Sequence, residues 1–573
     1  MAVKNRDIVQ ILNEIGDLID IQGSNQFRVR AYRSAARTVG DLDEEIEDLL
    51  ADGIDLSSLP DIGEGIAEKL QEFVETGTLR QLDELRKEID PRVTELLELE
   101  NLGPARAGTL YRELGIVTPE DLIQAAKDDK IAQLEGFGEK TQEQLRDEAE
   151  RYRENGARGR TRLGEVDEIV FPLVEYLNGL DATSAVRVAG SYRRRKEDVG
   201  DIDIVAVCDD SKAAMDAFAS YERADSVISK GETRSSIVLT SGIQVDLRAV
   251  EEAAFGAALY YFTGSKEHNV AVRRRAQERD LKMNEYGVFR GDDRVAGADE
   301  ESVFAAVSLQ FIEPELRENR GEIEAAERDE LPQLITIDDI RGDLHMHTPA
   351  TDGKNTIAEL AAAAKELGLE YIAITDHSKR VSMANGLTAD GLLDHVDQID
   401  EANEKAEVYI LKGIEVDILE DGTLDLPNDV LDRLDVVVAS VHYGRNMSEK
   451  QMTNRFLTAI DNPVVSVLGH PTGRLIGRRE PYDVDLSHVF RHAAEAGVAL
   501  ELNADPERLD LSDVQCRSAI EHGAKLVIST DAHSTGGLAH MRYGVDTARR
   551  GWVEAGDVVN TRPRTEVQKL LKR

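Results

Sequence analysis

The sequence predicts a multidomain protein of mixed α+β and α/β architecture, and three observations carry that reading. The amino-terminal part consists of helical runs broken by short glycine turns. The middle places an acidic pair directly ahead of an apolar, β-branched run. The carboxyl-terminal part alternates apolar strands with amphipathic helices, and almost every strand ends in His, Asp or Glu. At 573 residues the chain exceeds a single hydrophobic core. The pattern divides it into regions 1–90, 91–155, 156–250, 251–315, 316–340 and 341–573.

In the first two regions, glycine turns occur at Leu59-Pro60-Asp61-Ile62-Gly63-Glu64-Gly65, Leu102-Gly103-Pro104-Ala105 and Leu134-Glu135-Gly136-Phe137-Gly138-Glu139-Lys140, each ahead of an amphipathic helix. Glycine permits close approach of another backbone, and amides at a helix start bind phosphate without reading sequence. These segments resemble helix-hairpin-helix motifs, which implies DNA contacts at Gly63, Gly65, Gly103, Gly136 and Gly138. One such turn joins many ligand-free helix pairs; three ahead of the acidic pair favour DNA.

The acidic pair lies in Gly190-Ser191-Tyr192-Arg193-Arg194-Arg195-Lys196-Glu197-Asp198-Val199-Gly200-Asp201-Ile202-Asp203, followed by Ile204-Val205-Ala206-Val207. Residues two apart on a strand share a face, so Asp201 and Asp203 point into one pocket. Paired carboxylates suit divalent cations that clamp an in-line phosphoryl displacement. A second β-like run, Ile243 to Val250, carries Asp246, and Tyr261-Phe262-Thr263-Gly264-Ser265 follows. In this order and spacing the set resembles the family X DNA polymerases, with their nucleotidyltransferase palm. The resemblance implies that Asp201 and Asp203 bind two Mg²⁺ or Mn²⁺ ions. Asp246 would share one ion and assist deprotonation of a primer 3′-hydroxyl. Ser191, Arg194 and the Gly200 backbone would hold the triphosphate of a deoxynucleotide. Tyr261, Phe262 and Gly264 would border the sugar, and Asn269 and Arg273 would reach the nascent pair. Arg195, Val199 and Gln244 depart from the family pattern, where Gly, a hydroxyl residue and Arg are usual. Ile66-Ala67-Glu68-Lys69 is similar to the segment bearing a Schiff-base lysine in repair members, which makes Lys69 a candidate lyase nucleophile. Its neighbours Glu64, Glu68 and Glu72 favour an ordinary solvated lysine.

The third region begins with Asp343-Leu344-His345-Met346-His347 and Asp352. Strand-like runs then end in Asp376-His377, Glu415, His442, His470, and Asp531 with His533. Strands alternating with helical stretches such as 357–367 and 489–496 describe a parallel β/α barrel, whose chemistry gathers at the carboxyl ends of the strands. The pattern resembles the PHP (polymerase and histidinol phosphatase) family, with its distorted (β/α)7 barrel and up to three Mn²⁺ or Zn²⁺ ions. By that likeness His345, His347, Glu415 and Asp531 hold one ion, Glu415 bridges to a second with His442 and His470, and Asp352, His377 and His533 hold the third. Such a site activates water against phosphate esters. His268, His395, His488, His492, His522 and His540 read as surface helix positions, and Cys208 and Cys516 as reduced thiols.

Region 316–340 is strongly charged and reads as a helical or flexible linker. No apolar run is long enough to span a bilayer, and the start lacks a secretion signal, so a cytoplasmic, membrane-free protein is expected; a monomer is expected too, although the sequence does not reveal oligomeric state. The net charge of −42, with 111 acidic against 69 basic residues, opposes binding to phosphates. Arginine outnumbers lysine, and the acids are spread through every region. That composition looks like adaptation to molar salt, where the Debye length falls to about 3 Å and surface repulsion is screened. The expected function is gap-filling synthesis on gapped or nicked DNA in repair. The barrel is expected to trim 3′ ends, incise abasic sites or remove 3′-phosphates. A small-molecule phosphatase fused to a weak nucleotidyltransferase is the alternative. A non-catalytic scaffold would have broken ligand sets, whereas all three palm aspartates and all nine barrel positions are filled.

Overall fold

The computed structural model describes residues 4–23, 26–40, 42, 45–99, 102–155 and 160–572. The chain forms two compact units, Met1–Gly159 and Arg160–Arg573.

The first unit is helical. Ile8, Leu12, Ile15 and Ile19 recur at helical spacing along Asn5–Ile21 and are at most 2% exposed, so the apolar stripe faces a core shared with the later helices. Helices Glu64–Thr76, Pro104–Leu114 and Glu139–Asn155 follow the three glycine turns. Gly63 and Gly103 occupy the N-cap positions of the first two. A Cβ on Gly63, Gly65, Gly103, Gly136 or Gly138 would meet nothing within 4 Å. These glycines are therefore not demanded by packing, and they leave the backbone open to a ligand.

The second unit opens with a five-stranded sheet in the order Thr183–Val188, Asp201–Cys208, Gln244–Val250, Arg234–Leu239, Ala224–Lys230. Asp201–Cys208 and Gln244–Val250 pair in parallel, with Asp203 opposite Asp246. Ile202 and Ile204 point into the core at 0% exposure, so register and pleat together turn the acids the other way. Helices Phe255–Thr263, Lys266–Gln277 and Glu300–Ala306 and a three-stranded antiparallel sheet follow.

Seven parallel strands then run in sequence order: Gly342–Asp343, Tyr371–Ile374, Tyr409–Asp417, Val436–Ser440, Val467–Leu468, Ala499–Asn503 and Leu526–Ser529. Their continuous apolar runs fit strands buried on both faces. A bridge between Met346 and Ala532 brings the first and last strands together. Leu344, Ala373, Leu411, Val438, Val467 and Val527 fill the interior, and helices Ile357–Glu366 and Leu486–Ala496 lie where the pattern predicts helices.

Residues 316–340 carry the short helix Glu322–Glu327, and the start of the segment is packed rather than loose. Arg317 and Glu322 are 0% exposed; Arg317 pairs with Glu300 at 2.6 Å and Glu322 with His268 at 2.7 Å. These two buried charges are neutralised by partners on other elements, a fact absent from local composition, whereas Arg328 and Glu330 pair inside the segment and stay exposed. His268 is thereby corrected from a surface position to a buried one, its protonation disfavoured chiefly by burial. Among the described residues no helix is long and apolar enough to cross a membrane.

Candidate active sites

The first site is built on the parallel strand pair. Asp201 and Asp203 leave one strand on the same face, and Asp246 joins them from its neighbour. Burial first, then the charges of Asp201 and Asp246, push Asp203 up to about 7. Burial and Asp246 raise Asp201 as well. Three carboxylates gathered in this way, two of them raised by burial and by their acidic neighbours, form a donor set suited to divalent cations. Gly190 is required beside them: its φ is +64°, and a Cβ there would lie 2.9 Å from Asp203 Oδ2.

A cavity of about 600 Å³ adjoins the acids, lined by Ser191, Arg194, Asp201, Asp203, Tyr261, Phe262, Gly264, Asn269 and Arg273. Asn269 Nδ2 donates to the Tyr261 carbonyl at 2.7 Å, and the Arg273 guanidinium lies 5.8 Å from the Tyr261 ring centre. Gly200 lies beside the cavity rather than in its lining, with Arg160 Nη1 3.5 Å from where its Cβ would stand. Lys196 also lines it, as do Arg160 and Lys266, two cations the motif pattern did not single out. Gln244 donates to Asp246 Oδ1 at 3.1 Å, while Arg234, from the adjacent antiparallel strand, donates to Oδ2 at 2.8 Å. A guanidinium thus reaches Asp246 despite the departure at position 244. Arg195, at φ +56°, stacks 5.1 Å from the Tyr192 ring and pairs with Asp546 at 3.5 Å, away from the acids. Val199 is fully buried in the core.

The second site lies at the carboxyl ends of the barrel strands. All nine sequence-predicted residues converge there. Glu415 sits among five imidazoles: His377 Nδ1 at 2.7 Å, His470 Nε2 at 3.0 Å, His442 Nε2 at 3.4 Å, His345 Nε2 at 3.6 Å and His347 Nε2 at 3.8 Å. Asp531 is 3.0 Å from His347 Nε2, and Asp352 is 3.5 Å from both His377 and His533. Three groups are compact enough to hold an ion: His347 with Asp352, His377 and His533; His345 with His347 and Asp531; and His377 with Glu415 and His442. His347 and His377 each belong to two groups, so the partition differs from the expected one although the residues are the same. The buried Nε2 of His345 and Nδ1 of His347 have no hydrogen-bond partner. Orphaned imidazole nitrogens facing carboxylates fit bound metal.

Around these lie residues the motifs did not mark. Glu501 accepts from His345 Nδ1 at 2.7 Å, Asp417 faces His442 Nδ1 at 3.1 Å, and Asn503 donates to Asp531 at 3.1 Å. Such partners fix the tautomer and orientation of a ligating ring. Glu501 and Asn503 stand two apart on the Ala499–Asn503 strand, so period-two alternation could have exposed them. Arg508 Nε lies 3.7 Å from Asp531. His395 is corrected from surface to buried, 2.9 Å from the equally buried Asp376. Lys69 lies far from both sets in sequence and belongs to the helical unit. It lines a cavity of about 650 Å³ with Arg28, Arg80, Glu68, Glu72, Glu84 and Glu88, and its ammonium donates to the Gly65 carbonyl at 2.6 Å.

The sheet with its three acids and the barrel with its imidazole–carboxylate cluster define a metal-dependent phosphoryl-transfer enzyme with two separate centres. Residues 3–79 match the helix-hairpin-helix domain and 93–151 the SAM-like helix-hairpin-helix tandem; 160–256 match the DNA polymerase beta palm, 258–318 the DNA polymerase beta thumb and 343–505 the PHP domain. The chain is 37% identical to a Bacillus subtilis (strain 168) protein named DNA polymerase/3′-5′ exonuclease PolX, over 99% of each chain. A probable phosphatase of Thermoanaerobacter sp. (strain X514) is 31% identical over 38% of this chain and 89% of its own. One of Caldanaerobacter subterraneus subsp. tengcongensis is 32% identical over 33% and 75%. The chain belongs to the family X DNA polymerases that carry a PHP domain.

Proposed function

We propose that the protein is a DNA polymerase that fills short gaps in repair and that its barrel is a metal-dependent 3′–5′ exonuclease. The observation that carries this reading is the pairing of Asp203 with Asp246 across two parallel strands beside a cavity lined by Arg194 and Tyr261. The full-length likeness to a protein named for both activities supports it. Bound divalent cations would supply Lewis-acid stabilisation of charge on the phosphoryl oxygens and lower the pKa of the attacking hydroxyl or water. Asp201, Asp203 and Asp246 would hold two ions, Mg²⁺ or Mn²⁺, as an all-carboxylate set favours. The nine barrel residues, with mixed donors, suit Mn²⁺ or Zn²⁺.

Asp246 accepts the proton of the primer 3′-hydroxyl, its orientation set by Arg234 and Gln244. Ser191, Arg194 and the Gly200 amide hold the triphosphate, arginine by its planar fork. Tyr261, Phe262 and Gly264 border the deoxyribose, and Asn269 and Arg273 read the shape of the nascent pair. In the barrel, Glu501, Asp417 and Asn503 hold the ligating side chains in place, and Arg508 faces the scissile phosphate. Abasic-site incision and 3′-phosphate removal would use the same groups. The exposed hairpin glycines admit the DNA backbone. A Schiff base at Lys69 would need the ammonium to leave the Gly65 carbonyl, and borohydride trapping on 5′-deoxyribose-phosphate DNA tests it.

The small-molecule phosphatase reading draws on the probable phosphatases, whose likeness covers at most 38% of this chain, against 99% for the polymerase relative. The test is a labelled primer on one-nucleotide-gapped DNA with Mn²⁺, with and without deoxynucleotides. Extension with nucleotides and shortening without them is expected. An unchanged primer alongside hydrolysis of a small phosphate ester would favour the phosphatase.

A further inference from the structure

The residues lining the polymerase cavity all belong to the palm and thumb, but one of them is held from the barrel. Arg194, which lines it, has two of its guanidinium nitrogens engaged: Nη1 donates to the Thr263 carbonyl at 2.5 Å and Nε to Glu318 Oε1 at 3.0 Å. The same Glu318 oxygen lies 3.1 Å from Nη1 of Arg550, on the barrel helix Met541–Arg550. That Arg550 nitrogen also donates to the main-chain carbonyl of Arg194 at 2.6 Å. Its Nη2 is anchored on Asp513 at 2.7 Å, and Asp513 is shared with Arg320 at 3.2 Å. The side chain of Arg550 is 5% exposed and that of Glu318 11%. A buried file of alternating charge, Asp513, Arg550, Glu318, Arg194, therefore runs from the barrel wall to the cavity.

We infer that Arg550 and Glu318 are positioning residues for DNA synthesis, so that the hydrolytic barrel completes the polymerase's nucleotide site. This rests on the reading of Arg194 as a triphosphate ligand. Arg550 balances two carboxylates and fixes the Arg194 main chain. A triphosphate and Glu318 both draw on the Arg194 guanidinium, and Arg550 lets them share it, because it satisfies Glu318 from the other side. Without the Arg550 charge, Glu318 leans on Arg194 and the nearby Lys196, and it competes with the incoming phosphates. Leaving one member of a buried charge network uncompensated redistributes the remaining pairs rather than merely deleting one.

The test measures deoxynucleotide KM and kcat on gapped DNA, together with primer shortening without nucleotides, for R550M, E318Q, the double variant and R194M. R550M is expected to raise KM about tenfold, the effect of weakening one charge-assisted contact, with kcat and shortening near wild type. R550M with E318Q is expected to return KM towards wild type, because the competing carboxylate is gone. An unchanged KM in R550M overturns the inference. Loss of both activities without rescue marks a fold defect, and R550K then decides. If R550M does not fold, R550K, which keeps the charge but cannot bridge both oxygens, must still raise KM, and an unchanged value overturns the proposal. R194M separates the two levels. An unchanged KM there defeats the ligand reading itself, whereas a raised KM in R194M with none in R550M defeats only the role of the barrel.

Discussion

Glu318 shows how much of the site's behaviour is set by partners distant in sequence. Burial opposes its ionisation, yet Arg550, then Arg194 and Lys196, outweigh burial and hold the carboxyl at about 2, against an ordinary 4.5. A lowered carboxyl pKa favours the proton-free form in the fold. Its stabilisation is therefore complete above pH 4.5 and is lost as pH falls towards 2. E318Q should cost up to about 3 kcal/mol near neutral pH, and the gap to wild type should narrow by pH 3.5 in denaturant unfolding. A gap of constant size would mean the carboxylate is not held by those cations. At this scale the residues proposed to hold metal could be picked out, because ligand chemistry restricts such residues to His, Asp and Glu at strand ends. His268 and His395 were misread for the converse reason. Helical spacing says which residues share a face, but their buried partners Glu322 and Asp376 stand 54 and 19 positions away.

At the scale of elements, the two strands bearing Asp201, Asp203 and Asp246 could be read from alternation and β-branching. Their pairing with one another, and the arginine that reaches Asp246, could not. Arg234 enters only because its strand runs antiparallel to Gln244–Val250, in a register that alternation does not specify. The pairing yields a direct expectation. Arg234→Gln should lower kcat for extension by about tenfold or more. Adding Gln244→Arg, which moves the guanidinium to the other side of Asp246, should restore part of it. Primer-extension kinetics check both, and absence of rescue would mean Arg234 acts on something other than Asp246. The barrel helices and strands were similarly legible, since apolar runs and amphipathic stretches repeat in order. Glu501 and Asn503 escaped because the sixth strand ends in no histidine.

At the scale of the molecule, the excess of 111 acids over 69 bases leaves repulsion that local pairing does not remove. Raising KCl from 0.1 to 2 M should raise the thermal midpoint, because screening shortens the Debye length from about 10 Å to below about 3 Å. A flat or falling midpoint would show that the acids are balanced where they stand. The segment 316–340, read as a helical or flexible linker, does carry the short helix Glu322–Glu327, but the burial of Arg317 and Glu322 was not legible, since charge density looks like solvation until partners such as Glu300 and His268 are seen. The two centres use separate ligand sets, so each should fail alone. The most direct measurement compares Asp203→Asn with the double variant His345→Ala, His347→Ala on a labelled primer in gapped DNA with Mn²⁺. The first is expected to abolish extension and keep shortening, and the second to keep extension and abolish shortening. Loss of both activities in either protein, with its fold intact by circular dichroism, would contradict two separate metal-dependent centres in one chain.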